Sequence, residues 1–336
     1  VYLILAAVLL PAMFVVDAAL RRWSARQLLL VLLIGMAGLV ALLWMGATVA
    51  FAYASTIGLV LAHLYGLVLL LLFREWAGGY LASSESSRNI PTMAMVLAAG
   101  GIAGGLMAMA MVATWSPADS LLAVTVGCLI AALLASVLIR EAGVTSAPTA
   151  VDVGFRSQVG IVDILQHDPM VRYLGLGTAL YCLCFCLTEY VVFGIYATRY
   201  QDAAELAGFL GLLFAGMQLL EIGVLLLLAR HLLDGIGPLT RNLLYPGFTI
   251  AAVGALNVVQ SLATAVVAHV NYRALYNAVF SAVNGVNYWA VQQNNITRAR
   301  LLIRAVVLPA SLAVSGALLL VMQASVAPEA IPGVAL

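Results

Sequence analysis

Apolar runs of close to twenty residues, separated by short polar breaks, occupy the chain from its first residue almost to its last. A helix rises about 1.5 Å per residue, so roughly 20 apolar residues cross about 30 Å of hydrocarbon while satisfying their own backbone hydrogen bonds. Ten runs meet that requirement, at approximately 1–19, 28–47, 50–72, 92–113, 120–139, 172–197, 205–229, 242–260, 264–290 and 301–323. Only Gly46 and Thr48 mark the boundary between the second and third. The pattern predicts an all-α, polytopic membrane helical bundle of about ten transmembrane helices. One long polar stretch, 141–170, contains no such run and divides the chain into 1–140 and 171–336, with a short amphipathic surface helix expected around 159–165.

Composition excludes a water-soluble domain. Hydrophobic residues make up 64% of the chain and charged residues 9%, against about 25% charged in an average soluble domain. The arginines then orient the bundle. With the Arg21, Arg22 and Arg26 loop placed in the cytoplasm, alternation puts Arg74, Arg88, Arg140, Arg156, Arg172, Arg230, Arg241, Arg298, Arg300 and Arg304 at the same face; Arg199 falls in an outer loop and Arg273 inside a span. Both ends are expected outside. The first run lacks a charged leader and reads as a true span, not a removable signal. A core lacking one helix at each end is the expectation.

Lysine is absent and the formal net charge is +1, so no basic patch for nucleic acid exists. Cys128, Cys182, Cys184 and Cys186 all lie in apolar runs, and helical spacing puts only Cys182 and Cys186 on one face, as buried small residues. No Walker loop, His-Glu-x-x-His pair, nucleophile elbow or zinc spacing occurs. Neither enzyme chemistry nor a cofactor or metal is expected. Asn295-Ile-Thr297 matches a glycosylation acceptor, but the topology places it inside the cell.

Chemistry is sought where charge is buried, because a charge at the bilayer centre costs roughly 2.5–3.5 kcal/mol on insertion scales. Glu189, Glu221 and Arg273 should therefore face the bundle interior or a wet cavity. Glu189 and Arg273 sit about 12–14 Å from the outer ends of their spans at about 1.5 Å per residue, so they can pair. Such a pair is either a gate or substrate anchor or a structural lock. Glu221 lies deeper, with Gln218 one turn away. The ninth span carries His269, Arg273, Asn277, Ser281, Asn284, Tyr288 and Gln292 within a sector of about 140° at about 100° per residue, opposite Leu275, Ala278, Val279, Ala282, Val283, Val286 and Trp289. That stripe lines a cavity or bonds to neighbouring helices. His63, near mid-membrane, is either a neutral hydrogen-bonded group or a titrating relay. Gly100, Gly101, Gly104 and Gly105 give the fourth span a small-xxx-small surface for close helix packing.

The two parts of the chain repeat one loop. Asp17 followed by Arg21 and Arg22 closes the first span, and Asp234-Gly-Ile-Gly237 followed by Arg241 closes the seventh. These residues resemble the cytoplasmic loop motif of the major facilitator superfamily, and the glycine-rich fourth span resembles that superfamily's fifth helix. The resemblance makes spans one to five the family's helices two to six, and spans six to ten its helices seven to eleven, in two pseudo-symmetric halves joined by a cytoplasmic linker. Asp17, Arg21, Arg22, Asp234 and Gly237 would then act at the cytoplasmic gating loops. Spans three, six and nine become cavity helices carrying His63, Glu189 and Arg273. Within the family, Asp168-Pro169, Arg172-Tyr173, Glu189-Tyr190, Arg199-Tyr200, 205–211, Leu244-Tyr-Pro246 and 298–309 resemble the ATP/ADP translocase-like branch and its bacterial relatives. The absence of lysine departs from what triphosphate carriage requires.

The expectation is a secondary transporter of a polar or anionic solute in a bacterial cytoplasmic (inner) membrane, working by alternating access. Its substrate-binding or coupling residues would be Glu189, Arg273, Asn277, Ser281, Asn284, Tyr288, His63, Glu221 and Gln218, with lipids and the solute as partners. The alternative is a transport-inactive scaffold subunit, with partner subunits in a larger membrane complex.

Overall fold

A computed structural model of the chain describes residues 2–20, 23, 25–48, 54–78, 86–112, 114–115, 119–141, 165, 168–234, 237–291, 299–300 and 302–325. Among these the fold is all-helical. The five helices before the polar stretch are α1 (Tyr2–Leu20), α2 (Ala25–Thr48), α3 (Ala54–Gly78), α4 (Ser86–Val112) and α5 (Ser120–Glu141). After it come α6 (Pro169–Arg199), α7 (Ala203–Asp234), α8 (Pro238–Val258) and α9 (Leu262–Val270). The last of these runs without a break into a widened π-helical segment, Asn271–Phe280, then α10 (Ser281–Asn287) and a single 3₁₀ turn, Tyr288–Ala290. A second widened segment, Ile303–Val307, leads into α11 (Leu308–Ser325). Among the described residues, helix is found in each of the ten apolar runs. The surface helix expected around 159–165 falls outside the described residues except for Leu165, and Asn295-Ile-Thr297 lies outside them altogether.

Helix ends follow local chemistry. Asp168 caps α6, its carboxylate accepting from the Met170 backbone N–H at 3.0 Å, with Pro169 at the first helical position, where its missing N–H is not needed. Ser261 and Thr264 form a reciprocal capping box at the start of α9. The widened turn at Ile303–Val307 sits just upstream of Pro309, whose ring cannot donate and crowds the carbonyl four residues back.

Four helical stretches, Gln27–Ala47, Ala94–Met111, Pro169–Arg199 and Ala203–Leu226, are long and apolar enough to cross a membrane. Their outward faces carry large apolar side chains along their whole length, including Val31, Ile34 and Leu42 on α2, Val96 and Leu106 on α4, and Leu212, Leu219 and Leu226 on α7. A water-facing surface rarely presents such continuous apolar cover, whereas hydrocarbon accepts it.

Among the described residues, two crossings between the earlier helices and the later ones stand out. The most extensive contact in the fold runs between α4 and α7, and α1 packs against α11. Both crossings are close because glycine lies at the contact. A Cβ on Gly105 would stand 2.7 Å from the Gly211 carbonyl oxygen, and one on Gly316 of α11 would stand 3.0 Å from Leu3 Cγ of α1. Without a hydrophobic driving force in lipid, backbone approach of this kind is what holds helices together. Around α1, Leu5, Leu9, Leu28, Leu72, Cys182, Cys186 and Leu312 form one core; Val192, Tyr196, Leu256, Ala265, Tyr272 and Leu319 form another between α6 and α9. Cys182 and Cys186 share the buried face of α6, as helical spacing requires, while Cys184 is only half-buried.

Candidate functional site

Glu189 lies five turns into α6 and is 6% exposed. Both of its carboxylate oxygens are engaged. Arg273, on the widened segment after α9, donates from Nη2 to Oε1 at 3.1 Å. The Tyr2 hydroxyl, from the first turn of α1, donates to Oε2 at 2.6 Å. The guanidinium also stands 5.3 Å from the centroid of the Phe185 ring, one turn before Glu189. Two charges that would each be expensive in an apolar interior are thus neutralised against one another, and the second carboxylate oxygen is hydrogen-bonded to Tyr2. The pair is lopsided: the Arg273 side chain is 39% exposed and that of Glu189 only 7%. The cation is the more open member of the pair.

The polar stripe runs through the π-wound segment Asn271–Phe280. In a regular α-helix a four-residue step overshoots a full turn by about 40°, and the error accumulates. Closing i→i+5 bonds instead makes a four-residue step fall short of a turn, so over Arg273, Asn277 and Ser281 the stripe drifts in the opposite sense to that of a regular α-helix. Opposite them Ala278, Val279 and Val283 are buried with Leu225 and Tyr245. The exposed Asn277 donates from Nδ2 to Glu221 Oε2 at 3.2 Å, tying the stripe to α7. Ser281 and Asn284 are half-buried. Tyr288 is buried at the far end, with the Arg300 guanidinium 5.3 Å from its ring centroid.

The stripe is not uniform along its length. His269 is buried against Tyr196 and Tyr272, with its Nδ1 3.3 Å from the Tyr196 hydroxyl, because aromatic residues of α6 and the widened segment close over that end. Gln292 lies outside the described residues.

Other expected residues are placed as follows. Gln218 is buried on α7 and faces Gly101, where an added Cβ would stand 2.8 Å from its Cγ. The glycine stripe therefore divides: Gly101 and Gly105 meet α7, while Gly100 and Gly104 point away with nothing within 4 Å of an added Cβ. A helix presents only one of two adjacent rows to one neighbour, so the packing role assigned to Gly100 and Gly104 is not realised there. His63 donates from Nδ1 to the Leu59 carbonyl at 2.9 Å, a bond within its own helix. Gly237 precedes α8 as its N-cap. The side chains of Asp17 and Asp234, and residues Arg21 and Arg22, lie outside the described residues.

Sequence reasoning missed Tyr2, Phe185 and Tyr272. Tyr181 joins them, donating to the Tyr272 carbonyl at 3.2 Å and stacking on Tyr276 at 4.0 Å between centroids. Among the described residues no group of three or more His, Cys, Asp or Glu side chains is placed to hold a metal ion. The arrangement offers a half-open cation beside a buried carboxylate, held from helices at both ends of the chain. No protein-family model matches the sequence, and no curated protein matches it closely enough to count as a relative.

Proposed function

We propose that the chain is a secondary transporter of the major facilitator type, moving a polar or anionic solute across a bacterial cytoplasmic membrane by alternating access. One observation carries this reading: Glu189 is held at once by Arg273 of the later helices and by Tyr2 of α1. An ionic group that bonds to both parts of the chain changes partners when the parts move, and the 39%-exposed Arg273 can exchange Glu189 for a solute anion. The two glycine crossings support the same architecture. Counting helical spans, the α1–α11 and α4–α7 contacts pair the first span with the tenth and the fourth with the seventh. An offset of six spans exchanges one pair for the other, which is the relation two parallel halves of a facilitator would have.

The test uses proteoliposomes loaded with a pH-sensitive dye and challenged with carboxylates, phosphate and neutral sugars in turn. Wild-type protein is expected to take up one class of anion, and Arg273→Gln to lose that uptake while keeping its elution profile. Uptake of neutral sugars alone, or full anion uptake by Arg273→Gln, contradicts the reading.

A second reading, a transport-inactive scaffold subunit, is favoured by the stacked rings of Tyr181, Tyr276 and Phe280 that fill the space beside the widened segment. Copurification of a stoichiometric membrane partner, with no uptake of any solute class, supports it.

A further inference from the structure

Away from the ion pair, a groove of about 540 Å³ runs along α7 between α4 and α9. Small-molecule sites span about 300–1,000 Å³, so this is room enough for a ligand. Ile102 and Leu106 of α4 form one wall, and Val266 and Val270 of α9 the other. Ala215 and Met217 are buried in it, whereas Leu212 and Leu219 are exposed at its rim, so the groove opens sideways. Among the described residues, none lining it carries a polar side chain.

Its length and depth identify what covers it. From Phe209 to Leu220 the groove extends roughly 16 Å along α7 at about 1.5 Å per residue. That is about half of the roughly 30 Å of hydrocarbon in a bilayer. The Phe209 end lies one turn beyond Glu205 and stacks on Tyr200 at 4.7 Å between centroids, beside the polar connection from α6 to α7. The groove thus starts at a polar boundary and runs inward for the depth of one leaflet.

We propose that this groove is a binding site for an acyl chain of a membrane phospholipid, lying along α7 with its carboxyl end near Phe209 and its terminal methyl near Leu220. The exposed apolar faces of α4 and α7 already suit hydrocarbon, and the groove is continuous with them. A further helix fits less well. Helices join in lipid through small residues and polar groups, and Ala215 is already taken up by α4, its Cβ 3.2 Å from where a Cβ on Gly105 would stand. A flexible chain instead gains dispersion contacts along branched walls without either requirement.

Gly216 keeps the trough deep. At about 100° per residue it falls between Ala215 and Met217 around α7, and an added Cβ there meets nothing within 4 Å. Gly216→Leu therefore fills the groove without a backbone clash. Gly223 lies on the same face two turns further on, is equally open and does not line the groove, so Gly223→Leu is the matched control. The site stands whether or not the protein carries a solute.

The test reconstitutes the full chain in phosphatidylcholine nanodiscs in which an acyl chain carries a diazirine, either next to its carboxyl end or at its terminal carbon. After irradiation, labelled peptides are mapped. In wild type and Gly223→Leu the first probe should label around Phe209 and Leu212 and the second around Leu219 and Leu220, both in excess of the outward face of α2. Gly216→Leu should lose that excess. Labelling no greater than on α2, or an excess that Gly216→Leu leaves intact, overturns the proposal. Cross-linking of these residues to a second copy or another protein in place of lipid overturns it also. Should Gly216→Leu fail to accumulate, the two probes on wild type decide: excess labelling in the stated depth order supports the site, and no excess or the wrong order refutes it.

Discussion

The hydroxyl of Tyr2 donates to the carboxylate of Glu189 at 2.6 Å across 187 residues of chain, and that bond shares its acceptor with Arg273. It makes a buried charge the joint property of the first helix and the widened one. A hydrogen bond to a charged group contributes about 1.5–3 kcal/mol. Tyr2→Phe, which keeps the ring and removes only the donor, should lower the thermal midpoint of the purified protein. An unchanged midpoint would show the contact to be incidental.

Arg273 and Glu189 should prove coupled and unequal. Removing one member of a fully buried pair costs about 3–5 kcal/mol because the other charge is stranded. Arg273 is 39% exposed, so water screens part of that loss and Arg273→Met should cost less than that range. Glu189→Gln combined with Arg273→Met should cost less than the sum of the single variants. A double-mutant cycle by thermal unfolding measures this, and strict additivity would mean the two side chains do not interact.

The α4–α7 crossing predicts a rank order among near-identical substitutions. Gly105→Ala drives a Cβ to 2.7 Å from the Gly211 carbonyl, which is backbone and cannot step aside. At Gly101 the obstacle is the Gln218 side chain, which can swing away at smaller cost. Gly104→Ala meets nothing within 4 Å and gains roughly 0.5–1 kcal/mol of helix propensity. Stability should therefore fall most at Gly105, less at Gly101, and hold or rise at Gly104. Equal effects at Gly104 and Gly105 would place the wrong face against α7.

Asn277 should matter through Glu221. Its amide donates to a carboxylate that is 5% exposed, so Asn277→Leu removes a bond to a buried charge and should cost about 1–3 kcal/mol. Asn277→Asp sets a second carboxylate beside the first and should be worse than Leu. Midpoints in the reverse order would show that Glu221 does not rely on Asn277.

The helices were legible in sequence because hydrocarbon demands a fixed length of apolar chain, and the Glu189–Arg273 pair because the cost of buried charge forces partners at matching depth. Other features were not legible, for definable reasons. Tyr2 looks like any aromatic residue at a helix end, and nothing in its own helix signals that α6 lies beside it. Gly100 with Gly104 and Gly101 with Gly105 have the same spacing, so only tertiary contact decides which pair meets α7. No breaker residue marks the widening at Asn271–Phe280, and the seating of His269 against Tyr196 and Tyr272 is a tertiary contact that its own helix does not signal.

Uptake by Glu189→Gln tests the central claim most directly. Glutamine keeps the shape and can still hydrogen-bond to Tyr2, but it cannot carry the charge that holds Arg273. In proteoliposomes with matched protein content and retained folding, the variant should lose anion uptake or its dependence on a proton gradient. Uptake equal to wild type, with the same gradient dependence, would contradict a transport role for this site.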